Sequence, residues 1–180
     1  EIHQGKRNTT MTDLFKLAEE YDTMLNKGLS VSGENKDYFA TGRIEKVRKV
    51  LNGLTPSRVL DFGCGIGATS RLLAQVFPES TVIGVDTSDE AISYAKMQRN
   101  RETCLFFELF DKDIQELHGG FDICYVNGVF HHIDPDRRSE ALAYIRSVLT
   151  QHGLLFFFEN NPVNHGTRIV MSRIPFDRDA

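Results

Sequence analysis

Runs of β-branched and aromatic residues alternate with segments of helical periodicity along most of the chain. Apolar residues recur at helical spacing over 12–26 and 42–52, and these two predicted helices precede everything else. From residue 58 onward the predicted strands are 58–62, 81–85, 104–109, 121–126 and 153–159, and the predicted helices are 68–77, 88–99 and 135–149. Strands that alternate with helices predict a doubly wound α/β fold, in which helices cover both faces of a parallel sheet.

A glycine-rich turn follows the first of these strands. The sequence RVLDFGCGIGA spans residues 58–68, with Asp61 near the strand end and with Gly63, Gly65 and Gly67 behind it. Glycines let a ligand lie against the main chain, and the next helix directs unpaired N–H groups towards that ligand. The spacing meets the dinucleotide fingerprint only loosely. A carboxylate this close would repel a pyrophosphate, but it suits a ligand with an ammonium group, such as S-adenosylmethionine.

The second strand of the series also ends on an acidic residue. Asp86 lies 19 positions after Gly67, close to the spacing of about 20 residues expected of an acid that binds a ribose. Its two oxygens can accept from both ribose hydroxyls. The alternative is that Asp86 caps the next helix. Because Thr87 can serve as the cap and Glu90 as its capping-box partner, we expect Asp86 to be available for the ribose.

Four motifs, in this order and spacing, resemble those of the Rossmann-like (class I) S-adenosylmethionine-dependent methyltransferases of small-molecule type. They are VLDFGCGIG (59–67), VIGVDTS (82–88), FDICYVNGVFHHI (121–133) and GLLFFFENNP (153–162). The resemblance implies a mostly parallel sheet in the order 3-2-1-4-5, S-adenosylmethionine as the cofactor, and a small-molecule methyl acceptor. Members of this family usually finish with two further strands. No such pair is evident before Ala180, so we expect it to be missing.

The resemblance also implies the remaining cofactor contacts. Asp113 would approach the adenine amino group while Ile114 packs on the ring, although an alignment by the strand selects Asp111 instead. Asn127 would face the methionine portion, and Arg43 would pair with the cofactor carboxylate beneath a lid that contains Tyr38 and Phe39. Loop acids in water and an ordinary surface arginine are the simpler alternatives. The complete predicted cofactor site is Asp61, Gly63, Gly65, Asp86, Thr87, Asp113, Ile114, Asn127 and Arg43.

The expected chemistry needs little from the protein beyond positioning. A sulfonium already activates its methyl group, so the protein must hold the acceptor in line and exclude water. If the acceptor has to lose a proton, His131 or His132 is the candidate catalytic base, because the pKa of histidine lies near the operating pH. One of the two is expected to have a structural role instead. A polar cluster over the expected pocket, or simply a polar loop, consists of Glu159, Asn160, Asn161, Asn164 and His165.

Composition narrows the remaining choices. The 180 residues are 41% hydrophobic and 26% charged, with a net charge of −4, which fits one globular domain and argues against a nucleic-acid partner. No apolar run reaches the roughly 18 residues of a membrane span, and three scattered cysteines do not predict a metal site. We expect a soluble, cytoplasmic protein, in which an exposed sheet edge would favour a homodimer. The predicted parts are a flexible leader (1–11), a helical lid (12–56) and a cofactor-binding core (57–180).

Two other functions remain compatible with these motifs. A protein of the same fold could bind the cofactor without turnover, since the fold alone does not imply activity. A nicotinamide-dependent oxidoreductase is disfavoured by Asp61, by the absence of a hydride-transfer constellation, and by a chain too short for a separate substrate domain.

Overall fold

A parallel five-stranded sheet lies between two layers of helices in the computed structural model, which describes residues 36–99, 105–110 and 114–159 and the isolated positions 23, 161 and 163. In chain order the elements are α1 (Lys36–Leu51), β1 (Arg58–Phe62), α2 (Ala68–Val76), β2 (Thr81–Asp86), α3 (Asp89–Met97), β3 (Leu105–Leu109), α4 (Ile114–His118), β4 (Phe121–Asn127), α5 (Arg138–Val148) and β5 (Leu149–Phe158). Two short 3-10 turns, Phe130–His132 and Pro135–Arg137, connect β4 to α5.

The strand order in the described residues is β3-β2-β1-β4-β5, and every neighbouring pair is parallel. The predicted fold class and strand order are therefore confirmed. The order reverses between β1 and β4, because the chain first builds the sheet outward through β2 and β3 and then returns to the other side of β1. In such sheets a ligand binds outside the carboxyl ends of the strands at this switch point.

The predicted bounds of β1 to β4 agree with the structure within one residue, whereas the prediction for β5 was wrong at its start. β5 begins four residues earlier than predicted, at Leu149, which pairs with Phe121, and its register shifts before Leu154 pairs with Ile123. At Gly153 a Cβ would lie 2.7 Å from the carbonyl oxygen of Phe121, so glycine permits this close approach of two backbones. The short helix α4 was not predicted, because five residues are too few to show helical periodicity.

The sheet buries side chains on two faces. The α1 face is the one covered by α1, α2 and α3, and the α5 face is the one covered by α4 and α5. The cluster on the α1 face includes Ile44, Val47, Leu51, Val59, Leu73, Val82, Ile92, Phe107, Ile123 and Tyr125. The cluster on the α5 face includes Leu60, Phe62, Ile83, Val85, Ile114, Phe121, Cys124, Val126 and Ile145. Since alternate residues of a strand point to opposite faces, each strand supplies both clusters.

Helix α1 packs on the sheet with one side only. Ile44, Val47 and Leu51 follow helical spacing and are all buried in the cluster of the α1 face. The predicted helix at 12–26, apart from residue 23, and the predicted leader at 1–11 lie outside the described residues, so the division into leader, lid and core stays a prediction. None of the described helices combines the length and apolar character that crossing a membrane requires.

Candidate cofactor and active site

The turn between β1 and α2 has the left-handed backbone that its glycines allow. The φ angles of Gly63, Gly65 and Gly67 are 76°, 53° and 77°. The N–H of Gly63 donates to the carbonyl of Val85 at 2.8 Å, which joins the turn to β2. A Cβ on Gly67 would lie 2.5 Å from the ring of Phe107. The turn therefore lies directly against the sheet.

Asp86 fastens this glycine turn to the end of β2. Its Oδ2 accepts the N–H of Gly65 at 2.8 Å, and its Oδ1 accepts the N–H of Ser88 at 2.9 Å. Asp86 thus makes two local hydrogen bonds, although it does not serve as the N-cap of the next helix. Each carboxylate oxygen nevertheless has a second lone pair, so the ribose contact stays a prediction that the geometry permits.

The cap of α3 lies one residue later than predicted. Ser88, not Thr87, is the N-cap, and its Oγ accepts the N–H of Ala91 at 3.1 Å. Glu90 Oε2 lies 3.3 Å from the same hydroxyl. The prediction of Thr87 as the cap was wrong because two adjacent hydroxyl residues both fit the capping pattern. Thr87 is exposed beside Asp86, and its cofactor contact stays a prediction.

Asp61 is a buried carboxylate in the middle of the sheet, with 2% of its surface exposed. The hydroxyl of Ser70 in α2 donates to its Oδ2 at 2.6 Å. Burial raises the pKa of Asp61 to about 7, the Ser70 hydrogen bond opposes this rise, and the negative charge of Asp86 adds to it. A nearby cation would hold Asp61 in its charged form, and the ammonium group of an amino-acid ligand is such a cation.

The strands on either side of Asp61 contribute one glycine and one tyrosine. Asp61 pairs in register with Gly84 on β2 and with Tyr125 on β4. A Cβ on Gly84 would lie 2.7 Å from Ser70 Oγ, so glycine leaves the room that Ser70 needs to reach Asp61. Sequence reasoning missed all three neighbours. A serine in the first helical turn after the glycine loop and a hydroxyl within an apolar strand are the signals that could have indicated Ser70 and Tyr125.

A second group of polar contacts lies where β4 and β5 end. Glu159 Oε1 accepts the N–H groups of Val129 and Phe130 at 2.6 and 2.7 Å, and Oε2 lies 2.8 Å from Nδ1 of His131. Burial raises the pKa of the Glu159 carboxyl, but the hydrogen bonds from His131 and from the two amides outweigh it and hold the pKa below its usual value. Glu159 is therefore a charged group at neutral pH that fixes the orientation of the His131 ring.

The structure distinguishes the two candidate histidines. The side chain of His131 is 13% exposed and is bound to Glu159, whereas His132 is exposed. Their ring centroids are 3.9 Å apart. Val129, in the same turn, lies so close to the glycine loop that a Cβ on Gly63 would overlap its side chain. The turn that carries His131 therefore packs against the predicted cofactor loop.

The other predicted site residues are only partly described. Arg43 lies on α1, partly buried, and Asn127 is the last residue of β4, where it pairs with Phe158. Ile114 begins α4 and is fully buried on the α5 face. The predicted adenine contact and most of the predicted polar cluster lie outside the described residues, namely Asp113, its alternative Asp111, Asn160, Asn164 and His165. No group of three or more acidic, histidine or cysteine side chains suited to a metal ion occurs within the described part of the chain.

The fold and the acids and glycines at the switch point are those expected of the class of Rossmann-like S-adenosylmethionine-dependent methyltransferases. Residues 59–153 match the family model described as a methyltransferase domain. This match covers more than half of the chain, so the chain belongs to the methyltransferase domain family. The predicted class and the predicted cofactor of that class, S-adenosylmethionine, are confirmed.

The sequence is similar to methyltransferases that are named by their substrates. The chain is 39% identical over 119 residues to a trans-aconitate 2-methyltransferase of Deinococcus radiodurans, covering 64% of this chain and 43% of that protein. It is 29% identical over 113 residues to a malonyl-[acyl-carrier protein] O-methyltransferase of Halalkalibacterium halodurans, covering 59% and 40%. The chain thus spans less than half the length of these two relatives.

A solved structure matches over most of both chains. The TehB-like SAM-dependent methyltransferase from Corynebacterium glutamicum superposes with a TM-score of 0.58 over 92% of this chain and 84% of that one, at 22% sequence identity. At this identity the likeness establishes the fold.

Proposed function

We propose that this chain binds S-adenosylmethionine at the carboxyl ends of β1, β2 and β4 and transfers its methyl group to a small-molecule acceptor. The observation that carries the proposal is Asp61, a buried carboxylate beside a glycine turn, with a hydroxyl but no cation as its hydrogen-bond partner among the described residues. The ammonium group of the cofactor would compensate that charge, and this requirement disfavours a pyrophosphate ligand at the same place.

The other predicted contacts complete the proposed cofactor site. The backbone at Gly63 and Gly65 would lie under the cofactor, and Asp86, with Thr87 beside it, would accept from the ribose hydroxyls. Arg43 is proposed to bind the carboxylate, and Asn127 to face the same end of the cofactor. Asp113 and Ile114 are proposed for the adenine ring. In this arrangement the two ends of the cofactor lie at adjacent strand tips of one sheet.

His131 is proposed as the catalytic base, rather than His132. Bound S-adenosylmethionine supplies a methyl group that is already activated. Glu159 binds Nδ1 of His131, so in the neutral ring Nδ1 carries the proton and Nε2 is the basic nitrogen proposed to receive a proton from the acceptor. The anchoring amides of Val129 and Phe130 keep the carboxylate charged, and a charged carboxylate favours the proton on Nδ1 and a basic Nε2.

The small-molecule acceptor rests on two supporting observations. The relatives named above are a trans-aconitate 2-methyltransferase and a malonyl-[acyl-carrier protein] O-methyltransferase, which favours an acceptor with a carboxylic acid group for this chain. The net charge of −4 disfavours a nucleic-acid substrate. A homodimer and a cytoplasmic location stay predictions.

Calorimetry and a turnover assay test the proposal. The protein should bind S-adenosylmethionine and S-adenosylhomocysteine but not NAD, and it should release S-adenosylhomocysteine when supplied with a panel of small carboxylic acids. Binding of NAD in place of S-adenosylmethionine would overturn the proposal in favour of an oxidoreductase. Cofactor binding without turnover on any acceptor of a broad panel would favour the non-catalytic alternative.

The two histidines provide a matched pair of variants. In His131→Gln we expect kcat to fall by about 10²- to 10⁴-fold, the usual contribution of a general base, with cofactor affinity unchanged. His132→Gln should keep kcat within a few-fold of the parent. Equal losses in both variants would contradict the assignment of His131.

A further inference from the structure

Tyr125 places a hydroxyl in the core without a hydrogen-bond partner. It is the largest of the fully buried side chains, with no exposed surface, and its hydroxyl has no hydrogen-bond partner among the residues that the structure describes. A buried hydroxyl without a partner costs free energy that a phenylalanine at the same place would not. The ring itself is already accommodated by packing, since its centroid lies 5.4 Å from that of Phe158. The hydroxyl is therefore the part of this residue that packing does not explain.

The surroundings of this hydroxyl carry both signs of charge. Tyr125 pairs in register with Asp61 and belongs to the same cluster as Ile44 and Val47 of α1. Arg43 is the residue before Ile44 in that helix. Burial raises the pKa of Tyr125, the negative charge of Asp61 raises it further, and the positive charge of Arg43 lowers it. One acidic and one basic side chain thus act on the hydroxyl from β1 and from α1.

A free amino acid group has the chemistry that matches this arrangement. Its ammonium is complementary to Asp61 and its carboxylate to Arg43, and a phenol hydroxyl can accept from the first or donate to the second. We infer that Tyr125 is a binding residue for the amino-acid end of the cofactor, and that a bound ligand supplies the partner its hydroxyl lacks. This inference rests on the proposed function and adds to it a contact that neither the glycine loop nor the acidic motifs indicate.

The variant Tyr125→Phe tests the inference, because it removes the hydroxyl and keeps the ring. Two ligands serve as probes: S-adenosylhomocysteine, which has the amino-acid end, and 5′-methylthioadenosine, which has the same nucleoside and lacks that end. We expect the Kd for S-adenosylhomocysteine to rise about tenfold, a usual effect of leaving one buried polar contact unmade. The Kd for 5′-methylthioadenosine should stay within twofold. The melting temperature of the ligand-free variant should equal or exceed that of the parent.

Three results would overturn the inference. The first is an unchanged Kd for S-adenosylhomocysteine, and the second is an equal loss of affinity for both probes, which would place the effect elsewhere in the site. The third is a lowered melting temperature of the ligand-free variant, which would show that the hydroxyl already has a structural partner. A parent protein that binds neither probe would instead refute the proposed function, and the inference with it.

A matched control is available on the other face of the sheet. Tyr144 lies in α5, packs against Phe62 and Phe110, and also has a buried hydroxyl. The same change, Tyr144→Phe, should leave the ratio of the two Kd values as it is in the parent. A change of that ratio as large as in Tyr125→Phe would show that the measurement does not report a local contact, and would overturn the inference.

Discussion

The two faces of the sheet receive alternate residues of the same strands, yet they differ in the polarity of what they bury. On the α1 face the buried positions include Asp61, Ser70 and Tyr125 among apolar residues. On the α5 face β1, β2 and β4 contribute apolar side chains, namely Leu60, Phe62, Ile83, Val85, Phe121, Cys124 and Val126. The α1 face thus accepts the cost of burying Asp61, Ser70 and Tyr125, which supports the cofactor site proposed above.

The largest expected difference between the two faces comes from removing the charge of Asp61 on the α1 face. Asp61→Asn keeps the shape and lets Ser70 donate as before, but removes the proposed partner of the ligand ammonium. We expect cofactor affinity to fall about 100-fold or more, roughly 3 kcal/mol. The ligand-free variant should be more stable than the parent at pH 8, because the parent must ionise a buried carboxyl there. Calorimetry and thermal unfolding measure the two effects.

Asp122→Asn is the control for this variant. The Asp122 carboxylate accepts from the N–H groups of Ser57 and Arg58 at the opposite end of the strands, at 2.7 and 3.1 Å. We expect it to lose stability and to keep its cofactor affinity. Unchanged affinity in Asp61→Asn would remove the functional distinction between the two faces.

Gly84, which pairs with Asp61, should not tolerate even one added methyl group. In Gly84→Ala the new methyl group would lie 2.7 Å from Ser70 Oγ and 2.8 Å from the Phe107 ring, so we expect the free energy of unfolding to fall by about 1–3 kcal/mol. Chemical denaturation measures it. Gly42→Ala in α1 is the matched control, because nothing lies within 4 Å of its Cβ and alanine favours a helix. A stable Gly84→Ala variant would mean that Ser70 does not need this space.

The pH dependence of cofactor binding should also distinguish the α1 face, which contains Asp61, from the α5 face. The folded pKa of Asp61, about 7, lies above the value of 3.8 for an unperturbed carboxyl. The ligand-free protein should therefore lose stability as pH rises from about 4 to 7. Cofactor affinity should change in the opposite sense, because the proposed contact with the ligand ammonium needs the charged form of Asp61. The Kd should therefore rise by up to about tenfold per pH unit below pH 7. Calorimetry at pH 6, 7 and 8 checks this, and Asp61→Asn should show a flat profile. An equally flat profile in the parent would contradict the role of Asp61.

The sequence was sufficient to predict most of the sheet and the acidic residues Asp61 and Asp86 towards the ends of β1 and β2, and insufficient to predict the side chains that contact them. The bounds of β1 to β4 follow from local patterns, because β-branched runs and glycines act within a few residues, whereas the strand order was implied by the resemblance of the four motifs to a known family. The contact of Glu159 with His131 depends on the ends of β4 and β5 becoming neighbours, although 28 positions separate the two residues. The contact of Ser70 with Asp61 depends on how α2 packs back against β1. The choice between Ser88 and Thr87 as the cap depends on backbone angles that neither side chain encodes.

The smallest expected difference between the two faces concerns the effect on cofactor Kd of removing one methylene group from each of them. Ile44 on α1 and Ile145 on α5 are both 1% exposed, so Ile44→Val and Ile145→Val should each lower the free energy of unfolding by about 1 kcal/mol. Only Ile44 adjoins Arg43 and shares its cluster with Tyr125, so we expect Ile44→Val to raise the cofactor Kd at least twofold and Ile145→Val to leave it unchanged. Denaturation and calorimetry on both variants measure these values. Equal changes of Kd in the two variants would mean that loss of packing on either face affects cofactor affinity equally. The α1 face would then differ from the α5 face in polarity alone.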